Sequence, residues 1–364
     1  PLTASLGADL ATNDVARLAP ALLPAAMRNR QIGMELTADG TLEDLRRIDL
    51  QITSPDHLWL TVDGRARYPL DPRHLTASAS IRGRLRNGAF LLEMLPDTAL
   101  RRRLALPRRI GIDATARIDR QNYVLSSLLR AGQGRREEGC IHIDGRFDAR
   151  HERYEAAIRA DSFPAGSFLP ADSLGRLGLA LDARGKGFDP YDPATWSRLQ
   201  LEVSQAEYRG RDFGGVGITA ELTNQQLQGR IEDRDSALRL SLGLEGRLTR
   251  ERQQARLMGR VGWFDLAALG LVSEPIGGLF DLEAEASATQ RGSYAARVAL
   301  DSIRVRNGAQ TETIRPTSFE FATDSVRTRA AARSGDLELE FRTPESLERF
   351  LALLPRSTAE ILRR

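Results

Sequence analysis

The residues nearest to reactive chemistry in this chain lie in the stretch CIHID, positions 140 to 144. Cys140 is the only cysteine, and His142 stands two positions beyond it. On a strand, residues two apart share a face. A thiol beside an imidazole there suits a metal ion or an activated nucleophile. A zinc site needs two further ligands, and the sequence offers no clear pair; the other histidines, His57, His74 and His151, are scattered. Packing is the competing role for Cys140. No G-x-S-x-G elbow, H-E-x-x-H pair, P-loop or dinucleotide-binding glycine pattern is present. Asp161 and Asp182 carry no signal beyond that of a solvated strand face. These residues predict no catalytic centre, no metal and no cofactor.

Charge narrows the partners. The 52 basic residues nearly balance 49 acidic ones, giving a net charge of +3, and Lys186 is the only lysine. The two signs alternate along the chain, and the runs at 101–103 and 108–109 are short. Nucleic-acid binding needs a concentrated basic patch, so no nucleic-acid partner is expected. Arg84, Arg239 and Arg247 are candidates for attracting headgroup phosphates, with a solvated charged face as the alternative reading. One cysteine excludes an internal disulfide. No run of 18 apolar residues and no signal peptide is found, and the chain opens on Pro1. The expectation is an internal piece of a longer protein.

The elements that carry these side chains are read from one repeated pattern. In ALRLSLGLEGRLTR, residues 237–250, leucines take the even positions and polar residues the odd ones. A period of two marks a strand with one apolar face. The same period sets Leu75, Ala77, Ala79, Ile81 and Leu85 on one face. It does so for Ile110, Ile112, Ala114, Ala116 and Ile118, and for Ile141, Ile143 and Phe147. More than ten such strands succeed one another. A parallel α/β core would instead show continuous apolar strands and regular crossover helices. The predicted class is all-β: an elongated, curled sheet, trough-like, with an apolar inner face and short amphipathic helical insertions.

Asp63-Gly64, Asn87-Gly88, Asp144-Gly145 and Asn307-Gly308 are hairpin-type dipeptides. Helix-like pieces are expected at DVARLAPALLPAAM, GAFLLEMLPDTALRRRL, YVLSSLLRAG and SLERFLALLPRSTAEILRR. Asp14 and Asp265 each precede apolar residues as capping carboxylates would. Surface breaks are expected near 162–175 and at 187–199. Three β-rich segments result, 1–161, 162–271 and 272–364, the last ending in a short helix; one continuous groove is the alternative.

Three surroundings fit the leucines: a packed double sheet, a membrane barrel, or an uncovered trough for hydrocarbon. Ala77, Ala79, Ala114 and Ala116 would leave room for an acyl chain, or admit close packing. The sparse aromatics, 6% of the chain, argue against the barrel's aromatic girdles.

Residues 168–271 resemble a family. Phe168-Leu169-Pro170 is followed by Leu177, Leu179 and Leu181, then Gly187 to Pro190, then a strand ending near Tyr208. This order is similar to that of TamB-type translocation and assembly module proteins, of the AsmA-like group, in forms seen among Bacteroidetes. The resemblance implies a periplasmic part of an envelope-spanning protein, anchored in the inner membrane through an N-terminal helix. It implies a C-terminal region near an Omp85-type outer-membrane protein, and a role in phospholipid transport and outer-membrane biogenesis. It implies no enzyme activity. Acyl chains would run along an apolar groove lined by Leu177, Leu179, Leu181, Leu199, Leu201, Val203, Val216, Ile218, Leu222, Leu238, Leu240, Leu242, Leu244, Leu257, Val261 and Trp263. Phe168, Leu169, Leu266 and Leu269 would form helical plugs or docking points. A β-rich structural or adhesion module binding a protein or glycan is the alternative function.

Overall fold

The computed structural model describes residues 2–11, 31–55, 57–86, 88, 92, 97–132, 138–170, 173–290, 292–324 and 326–344. The fold is all-β and antiparallel. Two compact units divide the chain: 1–186 with 201–214, and 187–200 with 215–364.

In the first unit the strands are β1 (Leu2–Ala11), β2 (Gln31–Gly40), β3 (Asp44–Ser54), β4 (Leu58–Arg67), β5 (Thr76–Arg86), β6 (Arg109–Asp119), β7 (Asn122–Gly132), β8 (Gly139–Asp148), β9 (Arg153–Pro164) and β10 (Leu174–Lys186). Each pairs antiparallel with the next, so the unit is an open meander. The division between units falls inside β11 (Trp196–Tyr208), which turns at Arg209-Gly210 into the short β12 (Arg211–Asp212).

The second unit runs through β13 (Val216–Thr223), β14 (Gln226–Arg234), β15 (Leu238–Leu248), β16 (Arg252–Asp265), β17 (Ile276–Thr289), β18 (Tyr294–Asn307), β19 (Gln310–Thr313), β20 (Thr317–Thr323), β21 (Thr328–Ser334) and β22 (Leu337–Thr343). Successive neighbours pair here too, with β18 taking both β19 and β20 along its far edge.

Three local expectations are corrected. The segment YVLSSLLRAG is β7, not a helix. Leu125, Leu128 and Leu129 imitate helical spacing, but Tyr123 and Val124 favour strand, and the segment is hydrogen-bonded on both edges, to β6 and β8. Asp63-Gly64 and Asp144-Gly145 lie inside β4 and β8 rather than at turns. Gly64 faces Ala79, where a Cβ would stand 3.0 Å from the Ser78 carbonyl oxygen, so close backbone approach explains that glycine. The two-residue turns occur instead at Arg120-Gln121, Arg209-Gly210, Asn224-Gln225, Gly308-Ala309 and Gly335-Asp336. Asn224 and Gln225 both take positive φ, as this turn type demands. Asn307-Gly308 does form a hairpin, with Gly308 at φ 59°.

The helical pieces are short. Helix α1 (Thr98–Arg103) starts at Asp97, whose Oδ1 accepts from the Ala99 and Leu100 amides at 2.8 and 3.1 Å. The stretches 12–30, 89–91, 93–96 and 345–364, with the helix-like segments expected there, lie outside the described residues, as does Asn87 of the Asn87-Gly88 pair.

Candidate functional site

Strand register turns the alternation into rows that cross the first unit. Leu36, Leu50, Val62, Ile81, Ala114, Ser127, Ile143, Ile158 and Leu181 are successive cross-strand partners from β2 to β10. Beside them runs a second row: Met34, Ile52, Leu60, Gly83, Ile112, Leu129, Ile141, Ala160 and Leu179. On the other flank the row is mostly small: Ala38, Ile48, Gly64, Ala79, Ala116, Leu125, Gly145, Ala156 and Ala183. Ala79 and Ala116 share one row. With strands about 4.8 Å apart, eight gaps make each row about 38 Å long.

This face is not covered like a core. Ile112 is 36% exposed and Leu125 43%. Both sit on strands paired along both edges. A second sheet about 10 Å above would remove such side chains from water. Ala66, Leu85 and Ala114 of this face are buried, and a packed aromatic cluster forms at one end. There Ala131, Ala160 and Phe163 are buried, with Leu129, Ile141, Phe168 and Leu179 packed on them. Phe168 comes after a 3-10 turn at Ala165–Ser167 and stacks on Phe163, ring centroids 5.1 Å apart. Its carbonyl accepts from the Ala105 amide at 2.8 Å, and the Leu169 amide donates to Ala165. Phe163 reaches this face through a bulge in β9. Leu177 pairs with Phe163 but Leu179 with Ala160, and Ser162 takes φ 45°. Leu177, Leu179 and Leu181 thus share the apolar face. On β11, Leu199, Leu201 and Val203 alternate with exposed Arg198, Gln200 and Glu202 and form one face of that strand.

In the second unit, Ile218, Ile231, Leu242, Gly259, Leu282 and Leu300 make one row. Leu244, Leu257, Ala284, Val298, Phe319, Ala332 and Leu339 continue another, from Ala220 and Gly229. Leu222 faces Leu227. Gly259 is required by its place: a Cβ would fall 2.1 Å from the Ser241 oxygen, at φ 155°. Val216, Asp233, Leu240, Val261 and Phe280 form a further row. Here Leu242 and Val261 are buried, 7% and 6% exposed, while Phe319 and Leu339 are 47% and 59% exposed. Asp233 is buried among these apolar side chains. Burial pushes its carboxyl pKa up, against the pull of the Asp235 amide that it accepts at 2.8 Å.

Trp263 does not join this row. β16 bulges at Gly262: Leu240 pairs with Val261, Arg239 with Trp263 and Leu238 with Phe264. The parity flips, so Phe264 takes the place beside Leu238 and Trp263 falls on the charged face, under the Arg306 guanidinium at 4.7 Å. Phe264 packs near Phe280, centroids 5.9 Å apart. Alternation alone pointed to Trp263 and missed Phe264, because a bulge leaves no reliable mark in the period of two. Leu266 and Leu269 lie in a single turn after β16. The Ala268 amide donates to Asp265 Oδ1 at 2.9 Å and the Leu269 amide to the Asp265 carbonyl at 2.9 Å, so Asp265 is the capping residue that its position suggested.

The opposite faces are ionic. In the first unit, Arg159 bonds both Asp182 oxygens at 2.9 and 2.8 Å and Arg130 bonds Asp113 at 2.7 Å. Cys140 and His142 lie on this face, with His142 Nε2 3.5 Å from Asp144. Among the described residues no group of three or more His, Cys, Asp or Glu is placed to hold a metal. In the second unit, Arg256 pairs with Glu283 and Glu285, and Arg260 with Asp281 at 2.7 Å; the carboxyl pKa of Asp281 is lowered, chiefly by that bond. The break expected at 187–199 ends sooner, at 195, just before β11 begins, and is an ordered turn. Gly187 has φ 75°, Asp189 accepts from the Tyr191 amide at 2.9 Å, and Gln225 donates to the Tyr191 carbonyl at 2.6 Å.

No protein-family model, curated protein or solved structure matches the chain.

Proposed function

We propose that this chain is the periplasmic part of an envelope-spanning protein that passes phospholipid between the inner and outer bacterial membranes, in support of outer-membrane biogenesis, as the TamB-like resemblance suggests. The observation that carries the reading is the uncovered apolar face of the first unit, where Ile112 and Leu125 stay accessible in the interior of a meander. Acyl chains lie along the rows and cross from strand to strand, while headgroups stay in water. Each CH₂ withdrawn from water contributes about 0.8 kcal/mol, so retention needs apolar length rather than specific polar contacts. The near-continuous rows let a chain slide without crossing a buried charge. No catalytic residue takes part. The parent protein is anchored at the inner membrane and meets an Omp85-type partner at the outer one.

The test is mass spectrometry of lipid copurified with the full chain, together with binding of a fluorescent fatty-acyl probe. Phospholipid should copurify, and Ile112→Asp with Leu125→Asp should reduce probe binding while strand content by circular dichroism is kept. A lipid-free chain that ignores the probe would overturn the reading and leave a β-rich module for a protein or glycan.

A further inference from the structure

The charged face of the second unit holds two adjoining cavities of about 650 and 620 Å³ that share Arg252, Ser287 and Arg329 in their walls. Five arginines and three glutamates line the first, four arginines and one aspartate the second. Both therefore carry surplus positive charge. Register explains why some of it stays unneutralised. Arg247 pairs across the strands with Gln226 and Gln254, and Arg252 with Thr289, all neutral. Arg297 stands between Glu285 and Glu320; Arg256 engages Glu285 from the other side at 3.4 Å, and neither carboxylate is within ion-pair distance of Arg297. Arg247, Arg252 and Arg297 thus have no carboxylate within ion-pair distance among the described residues, whereas Arg256 and Arg329 do. The hydroxyls of Ser287 and Thr289 stand on the same face, since residues 285, 287 and 289 alternate together along β17.

We propose that Arg247, Arg252 and Arg297, with the hydroxyls of Ser287 and Thr289, form a binding site for a phosphate group. Three guanidiniums keep their planar donor forks free, and such forks match phosphate oxygens. Hydroxyl donors complete the set, and the small side chains of Ala295 and Ala322 leave the floor open. The site lies on the face opposite the apolar rows and does not depend on the transport reading. The shared chemistry is a phosphoester, carried either by a soluble molecule or by a lipid headgroup.

The experiment titrates the full chain with glycerol 3-phosphate by calorimetry at physiological ionic strength, and measures cosedimentation with phosphatidylglycerol vesicles. Saturable one-to-one binding of glycerol 3-phosphate is expected, weakened by about tenfold or more in an Arg247→Gln, Arg252→Gln, Arg297→Gln triple variant. An Arg234→Gln control, outside both cavities, should bind as the parent does, and circular dichroism checks that the triple variant keeps its strands. Vesicle binding lost in the same triple variant identifies a headgroup source; calorimetric binding with no vesicle binding identifies a soluble phosphoester. Absence of saturable glycerol 3-phosphate binding, or equal affinity in the triple variant, overturns the site.

Discussion

The two units use the same alternation and arrive at different surfaces. In the first, three adjacent rows run across β2 to β10 without an ionisable group, and interior side chains such as Ile112 remain open to water. In the second, the rows are interrupted by the carboxyl of Asp233 and by the bulge at Gly262, and Val261 and Leu242 are sealed. Further along, Phe319, Leu337, Leu339 and Phe341 are exposed. The same period of two therefore yields an open lane in one place and a closed patch in another. What decides is the cross-strand partner, not the strand's own sequence. Leu125, between Ala116 and Gly145, stays accessible; Val261, between Leu240 and Phe280, does not.

That contrast is broken most directly by placing the same charge in each unit. Val261→Asp buries an unpaired carboxylate at a site 6% exposed. It should cost about 3 kcal/mol or more in urea unfolding. Ile112→Asp, at a site 36% exposed, should cost under about 1 kcal/mol and yet weaken acyl-probe binding. Equal losses of stability at the two positions would show that the first unit is as closed as the second. A smaller effect is expected from filling the lane. Ala79→Trp with Ala116→Trp places two rings on facing positions of β5 and β6. Probe binding should fall by about two- to fivefold with the thermal midpoint nearly unchanged, since the added rings project from an uncovered face.

The class of the fold was legible because alternation survives in almost every strand. Faces within a strand were legible too: the register puts Leu238, Leu240, Leu242 and Leu244 together, as their spacing required. What adjoins what was not. Seeing Ala38, Gly64, Ala79, Ala116, Gly145, Ala156 and Ala183 as parts of one lane requires the pairing of nine strands, and no single segment contains that information. Bulges were the other blind spot. Gly262 and Ser162 each shift the parity of the residues to one side of them, which exchanged Trp263 for Phe264 and brought Phe163 into the buried cluster. The unneutralised arginines were hidden for the same reason. Arg247 looks like any other strand arginine until its neighbours prove to be Gln226 and Gln254.

The mildest way to sharpen the comparison is to remove the carboxyl that distinguishes the second unit's rows. Asp233 stands between Val216 and Leu240, and burial raises its pKa above that of an ordinary carboxyl. The folded chain therefore holds this proton more tightly than the unfolded chain. The stability linked to it is complete below the ordinary carboxyl range and is lost as pH climbs through the raised value, above which the ionised group opposes folding. Asp233→Asn stays neutral and keeps a side-chain oxygen to accept from the Asp235 amide. Its thermal midpoint should exceed that of the parent by about 1–3 °C near pH 7 and match it near pH 3.5. A midpoint lowered at neutral pH would mean that the carboxylate is held in a favourable charged state, and that the row is more polar at this point than its neighbours indicate.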